Sequence, residues 1–174
     1  MKAPILKGRN FRLRPFRQSD CAFLVACLND KAIHRYTLNI PYPYSLKDAK
    51  EWIGRQLPAS DRQTDQLVWA IEVNSQVAGA IDLRGIALNH KARFGYWLAK
   101  EHWGQGIMTE AVGLVSQYAS NKLRLRRLDA QVIVGNLASR RVLEKNGFKL
   151  EGLMRKQARK NGRLLDAWLL ARVK

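Results

Sequence analysis

The sequence predicts an α+β domain, a sheet with helices packed on it. Three observations carry this. The apolar period switches between two and 3.6 along the chain. An Asn-Gly turn joins two alternating runs near the end. The predicted elements follow the order β-α-α-β-β-β-α-β-α-β-β, which places helices against a sheet. The 174 residues suffice for one domain with a substantial core and are too few for two ordinary ones. No linker, repeat or low-complexity tract divides them, so a single domain is expected over 1–174.

Taken in order, Phe11-Arg12-Leu13-Arg14-Pro15-Phe16 alternates apolar and basic residues and reads as a strand closed by its proline. Ser19-Asp20 offers an N-cap to a helix with apolar residues at Phe23, Leu24, Cys27 and Leu28. Ile40-Pro41-Tyr42-Pro43-Tyr44 is extended loop, because each proline disfavours helix at the residue before it. A second helix runs from Ser45 to about Leu57, ended by Pro58. Leu67, Trp69, Ile71 and Val73 alternate, Asn74-Ser75-Gln76 turns, and Val77–Ile86 alternates again, which is a hairpin. Arg93–Ala99 is a further strand. Beyond Gly106, Ile107, Ala111, Leu114, Val115 and Tyr118 fall on one helical face. Arg127–Val134 is β-branched and strand-like, and Asn136–Asn146 is a short helix with Gly147 as its left-handed terminator. Phe148–Arg159 and Arg163–Val173 close the chain around Asn161-Gly162.

Composition narrows the function classes. Hydrophobic residues at 47% and charged residues at 26% describe a globular chain, and no apolar run approaches the roughly 20 residues of a membrane span. Met1–Asn10 carries Lys2, Lys7 and Arg9 without an apolar core, so no secretory signal is expected. Cys21 and Cys27 cannot pair along one helix, and His34, His90 and His102 are scattered, so free thiols, no metal site and a cytoplasmic setting are expected. Lys and Arg number 31 against 14 acids, a net charge of +17, and residues 121–174 hold 15 basic and 4 acidic side chains. Such a field attracts nucleic acid, acidic proteins or a phosphorylated cofactor and repels cationic substrates.

The segment Glu101-His102-Trp103-Gly104-Gln105-Gly106-Ile107-Met108-Thr109-Glu110-Ala111 lies between a strand and an amphipathic helix. Two glycines let the backbone turn tightly and approach a ligand. The helix's first-turn amides lack internal partners and carry the positive end of its dipole, so they converge on an anion site. Hydrogen bonds to a charged group contribute about 1.5–3 kcal/mol each, so three or four would anchor a diphosphate. Alone, the pattern also fits a plain tight connection. It lacks the third glycine of a dinucleotide fingerprint and the Gly-Lys-Ser/Thr of a P-loop.

The wider run is more specific. Gly95-Tyr96-Trp97-Leu98, then Trp103-Gly104-Gln105-Gly106-Ile107 with Thr109-Glu110-Ala111, Asn136 with Ser139, and Glu144-Lys145-Asn146-Gly147-Phe148 resemble the GNAT superfamily of acetyltransferases. Within it the chain resembles the Rim-type branch, which acetylates the N-terminal amines of ribosomal proteins. The likeness covers nearly the whole chain, including Arg35-Tyr36, Pro41-Tyr42-Pro43-Tyr44, Glu151-Gly152 and Asn161-Gly162-Arg163. The superfamily's pyrophosphate motif departs at its first position, which is Glu101 here; its carboxylate is expected to point away and leave the holding to backbone amides.

The resemblance implies a mixed, mostly antiparallel, twisted sheet of about seven strands. Helices would lie on both faces, with a splayed V between the fourth and fifth strands, Arg93–Ala99 and Arg127–Val134. It implies acetyl-CoA as donor and CoA as product. Tyr96, Trp97 and Leu98 would pair with the pantetheine amides, and Trp103, Gly104, Gln105, Gly106, Ile107, Met108 and Thr109 would surround the pyrophosphate. Asn136 would hydrogen-bond the pantetheine arm, and Ser139 would protonate the departing thiolate. Asn136 also reads as a plain helix N-cap, and Ser139 as a first-turn spectator. Tyr36, Tyr42 and Tyr44 would line the acceptor side.

Arg93–Ala99 contains no carboxylate to serve as base, so Asp82 on the neighbouring strand is the nearest candidate, with His90 another; a strand Asp is also commonly just solvent-facing. A weak base would suffice for one substrate class. At pH 7 an α-amine is about 14% neutral and a lysine about 0.04%. Direct attack on the thioester in a ternary complex follows, with a backbone N–H near Leu98 steadying the oxyanion. Neither cysteine falls in the cofactor motif, so no acyl-cysteine is expected.

The acceptor is therefore expected to be the N-terminal amine of a protein, with a ribosomal or acidic partner suiting the basic surface. Two other readings stand beside it. A polyamine or aminoglycoside acetyltransferase would need a locally acidic pocket. A non-catalytic RNA-binding module would use Arg124-Leu125-Arg126-Arg127 and Arg155–Arg163, which alternate with apolar residues as ordinary element faces do, without stacking aromatics. Nucleic acid is not expected as a substrate.

Overall fold

The computed structural model describes residues 2–56 and 65–174. Among these the elements are β1 (Leu6–Lys7), β2 (Arg12–Arg14), α1 (Cys21–Leu28), α2 (Lys31–Tyr36), α3 (Leu46–Gln56), β3 (Leu67–Val73), β4 (Gln76–Ala87) and β5 (Lys91–Leu98). They continue with α4 (Ile107–Asn121), β6 (Arg127–Ile133), α5 (Leu137–Lys145), β7 (Lys149–Lys160) and β8 (Arg163–Val173). The strands form one sheet in the order β1-β2-β3-β4-β5-β6-β8-β7. Eight strands replace the expected seven, because the two-residue β1, paired with β2 at Leu6–Leu13 and Lys7–Arg12, is too short to show a period. Pro58, the expected end of the second helix, lies outside the described residues. No helix among the described residues is long and apolar enough to cross a membrane.

The chain falls into two compact units, Met1–Asp82 with Tyr96–Ile107, and Leu83–Gly95 with Met108–Lys174. In the first, Phe16, Leu24, Leu28, Ile33, Tyr44, Ala49 and Ile53 form an apolar cluster with Ala70, Val77 and Ala80 from the sheet. Phe16 meets Trp52 edge-on at 4.8 Å. Asn74 and Ser75 both have positive φ (49° and 65°), the backbone that a two-residue hairpin turn of matching twist requires.

The same unit buries a charge network. Arg14 holds Asp20 through two bonds of 2.8 and 2.9 Å, and Arg14 and Arg12 both donate to Glu72. This corrects one expectation. Asp20 stands at the N-cap position of α1, but its carboxylate takes Arg14 and the Arg17 backbone N–H (2.7 Å) instead of capping the helix. A bidentate guanidinium outcompetes a single helix amide for a buried carboxylate. A second difference is α2, which begins where Asp30 accepts from the Ala32 N–H at 2.6 Å.

In the second unit β5 pairs with β6 in parallel, from Lys91–Arg127 to Phe94–Ala130, while β6–β8 and β7–β8 are antiparallel. The β5–β6 ladder stops short of the ends of both strands, at Leu98 and Ile133. Arg93 and Asp129 sit opposite in this register and form an ion pair of 2.6 Å. Asn161 and Gly162 take φ of 48° and 76°, as the Asn-Gly hairpin signal requires. The buried positions of α4 are Ile107, Met108, Ala111, Val112, Val115, Ser116 and Ala119. Of the expected face Ile107, Ala111 and Val115 are buried, while Leu114 and Tyr118 are only half-buried and Val112, Ser116 and Ala119 extend the buried side.

Candidate active site

The Trp103–Gly106 turn is fixed by its own hydrogen bonds. The Trp103 indole donates to the Leu98 carbonyl at 2.7 Å, which holds the turn against the end of β5. The Gln105 side chain donates to the Glu101 carbonyl at 2.9 Å. Gly104 and Gly106 take φ of 75° and 77°, where a Cβ is strained, and among the described residues, chain neighbours aside, no atom stands within 4 Å of where that Cβ would be. The turn is exposed and opens straight into the fifteen-residue α4, whose first amides lie at its mouth. Left-handed glycines, open space and a long helix's N-terminus fit a diphosphate held by backbone.

Glu101 is exposed. Burial, with the Glu101 charge adding to it, pushes the Cys27 thiol up to about 11. The Cys27 Sγ itself faces the Val77 carbonyl at 3.6 Å. That thiol is protonated at neutral pH and is no nucleophile.

Tyr96 and Trp97 are half-buried and Leu98 is buried at the end of β5. Here Gly79 of β4 was not singled out by sequence. A Cβ there would stand 2.5 Å from the Trp97 carbonyl oxygen and 3.2 Å from the Leu98 Cα, so only glycine lets β5 lie where it does. Asp82 is half-buried on β4.

In the second unit Met108 is buried, and Thr109 is half-buried in the first turn of α4. The Asn136 Oδ1 accepts from the Ser139 N–H at 3.1 Å, the expected N-cap of α5. Its amide nitrogen is the group available for the role the resemblance implies. Ser139 is half-buried one turn along. Asn146, quoted in the motif without a role, donates to the Thr109 carbonyl (3.0 Å) and the Val142 carbonyl (2.9 Å), and so joins α5 to α4.

The three tyrosines of the acceptor side separate. Tyr42 is exposed and stacks on His34 at 4.8 Å, and Tyr36 is half-buried beneath the Arg35 guanidinium at 5.2 Å. Tyr44 is 5% exposed and belongs to the core, its backbone N–H and C=O both taken by the Asn29 side chain at 2.9 and 2.8 Å. Burial raises its phenol to about 12. Tyr44 thus packs in the core cluster with residues of α1 and α3.

Residues 10–149 match the family model described as the acetyltransferase (GNAT) domain. A probable N-acetyltransferase, YjcK of Bacillus subtilis (strain 168), is 40% identical over 184 residues, covering 96% of each chain. The ribosomal-protein-serine acetyltransferase of Escherichia coli (strain K12) is 34% identical over 99 residues, 56% of this chain and 55% of that one. The structure of RimL, a ribosomal L7/L12 α-N-protein acetyltransferase in complex with coenzyme A, superposes with a TM-score of 0.86 at 26% identity, covering 98% of both chains. Family membership sets aside the non-catalytic RNA-binding reading. The chain belongs to the GNAT acetyltransferases and is an N-acetyltransferase that takes its acetyl group from acetyl-CoA.

Proposed function

We propose that the acceptor is the N-terminal α-amine of a protein, a ribosomal protein fitting best, and that one domain performs the transfer in a ternary complex. The observation that carries this reading is the state of the carboxylates on the last strands. Asp166 accepts the Lys156 backbone N–H at 2.7 Å, Glu151 is held by Arg127, and Asp129 by Arg93. These acids are committed to the protein's own donors, whereas a polyamine site would need them turned to the ligand. The 15 basic side chains of residues 121–174 favour an acidic target.

Bound acetyl-CoA supplies an activated acetyl group. The amides at Trp103–Thr109 would hold its diphosphate, Tyr96–Leu98 would pair strand-like with its pantetheine arm, and the Asn136 amide would hydrogen-bond that arm. The amine nitrogen attacks the thioester carbonyl, forming the C–N bond as the C–S bond breaks. A backbone N–H near Leu98 takes the developing negative charge. Ser139 delivers its hydroxyl proton to the leaving sulfur and is reprotonated from solvent, and the amine's surplus proton passes through water toward Asp82, which releases it to solvent. About 14% of an α-amine is already neutral at pH 7, so a half-buried Asp suffices where lysine would need a stronger base.

Acetylation of a peptide library with acetyl-CoA, read by mass spectrometry, tests this. Modification at α-amines, with lysine side chains left free, is expected. Faster acetylation of spermidine or an aminoglycoside than of any peptide would overturn it.

A further inference from the structure

Three facts of the second unit meet at Asn146-Gly147-Phe148. The Asn146 amide donates to Thr109 in the first turn of α4 and to Val142 of α5, a bridge between the two helices. Gly113 of α4 faces this bridge: a Cβ there would stand 3.1 Å from the Asn146 Oδ1. Glycine inside a helix is unfavourable by about 1 kcal/mol relative to alanine, so its presence needs a packing reason, and the Asn146 side chain supplies one. Beyond it, Gly147 turns left-handed at φ 79°. The Gly147 and Phe148 amides donate back to Glu144 (3.0 Å) and Leu143 (3.2 Å), which ends α5 in a fixed direction. The Phe148 ring then meets Phe94 edge-on at 5.8 Å, at the last residue of β5 paired with β6.

We propose that Asn146 is a positioning residue for acetyl transfer: it clamps the start of α4 to the end of α5 and so sets the aim of Ser139. The inference rests on the roles given above to the α4 first turn and Ser139. Ser139 lies seven residues before Asn146, roughly 10 Å along the helix at about 1.5 Å per residue. A tilt of about 6° at the clamp therefore moves Ser139 by about 1 Å, a misplacement of the size that costs up to about a hundredfold in rate. Movement of Thr109 at the other end of the clamp acts on the donor, through its KM.

The test compares Asn146→Ala, Gly113→Ala and the double variant with the parent protein. Each is assayed at a temperature where circular dichroism shows it folded. Asn146→Ala is expected to lower kcat/KM for acetyl-CoA by about tenfold or more, with both kcat and KM affected. Gly113→Ala alone should give a smaller defect of the same kind, because its methyl would stand 3.1 Å from the Asn146 Oδ1 and shift that side chain by a few tenths of an ångström. In the double variant the methyl fills the vacated space and alanine favours helix, so the melting temperature should recover while kcat/KM stays low. A purely structural Asn146 predicts the opposite: lower melting temperature, with kcat/KM of the folded protein within twofold of the parent, or kinetics that recover in the double variant. Either result overturns the proposal. Ser139→Ala, run alongside, separates the two readings. If it is fully active the role of Ser139 falls, while a raised KM in Asn146→Ala still supports the clamp on the donor.

Discussion

Replacing Gly79 by alanine perturbs the proposed site without touching any group that would contact substrate. In most strands that change is neutral or favourable, because it restricts the unfolded chain. Here the new Cβ would stand 2.5 Å from the Trp97 carbonyl oxygen, 3.1 Å from the Leu98 Cδ1 and 3.2 Å from the Leu98 Cα. A side-chain tip could rotate away, but the Trp97 carbonyl is backbone. Relief to an ordinary contact therefore needs β4 and β5 to part by about 1 Å, an overpacking that costs typically about 1–3 kcal/mol. Because Ala99 donates to the Ala78 carbonyl at 2.7 Å beside it, the displacement falls on Trp97–Leu98. Those are the residues assigned to the pantetheine arm and the oxyanion. A 1 Å error there predicts a fall of about tenfold to a hundredfold in kcat/KM for acetyl-CoA. Steady-state kinetics read the first effect and urea denaturation the second. A Gly79→Ala protein with parental kcat/KM would refute the assignment of the β5 end to the donor site, whatever its stability.

Two further expectations concern stability. Burial alone would raise the Glu72 carboxyl, but hydrogen bonds from Arg14 and Arg12 outweigh it and hold it below the ordinary carboxylate range. Its contribution is thus complete above the unfolded value of about 4.3 and is lost as pH falls through the lower folded value. Glu72→Gln should cost about 3–5 kcal/mol at pH 7 by leaving Arg14 underpaired, and its deficit against the parent should shrink in urea titrations carried below pH 4. A deficit constant down to pH 3 would contradict this. On α4, the buried Ser116 hydroxyl has no hydrogen-bond partner among the described residues. Ser116→Ala should therefore raise stability by about 1 kcal/mol, seen as roughly 2–4 °C in melting temperature, and a loss would expose a partner the structure does not give it.

What could be read in advance was local. The Asn74-Ser75 and Asn161-Gly162 turns, the Asn136 cap and the Gly147 terminator are each set by a few adjacent residues whose φ or side-chain oxygen has one good use. The left-handed glycines at 104 and 106 belong to the same class. What escaped depends on partners far along the chain. Asp20 abandons α1 for Arg14, whose other carboxylate, Glu72, comes from 58 residues away. Tyr44 turns inward because α1 and α3 close over it, and Gly79 matters only because Trp97 lies opposite. Asn146 reaches Thr109 across 37 residues, a contact no spacing rule encodes. Its one trace in sequence was a glycine at 113 inside an otherwise regular helix.

In the proposed donor site, backbone amides at Gly104-Gln105-Gly106 and the start of α4 hold the diphosphate without help from the Glu101 side chain. The dissociation constant of CoA, measured by calorimetry for the parent, Glu101→Gln and Gly106→Ala proteins, tests this most directly. Glu101→Gln should bind within about twofold of the parent. Gly106→Ala forces a Cβ onto φ 77°, a strain of about 1–2 kcal/mol that the turn relieves by re-aiming its amides, so CoA should bind about tenfold more weakly. Parental affinity in Gly106→Ala, or a larger change in Glu101→Gln than in Gly106→Ala, would contradict the account.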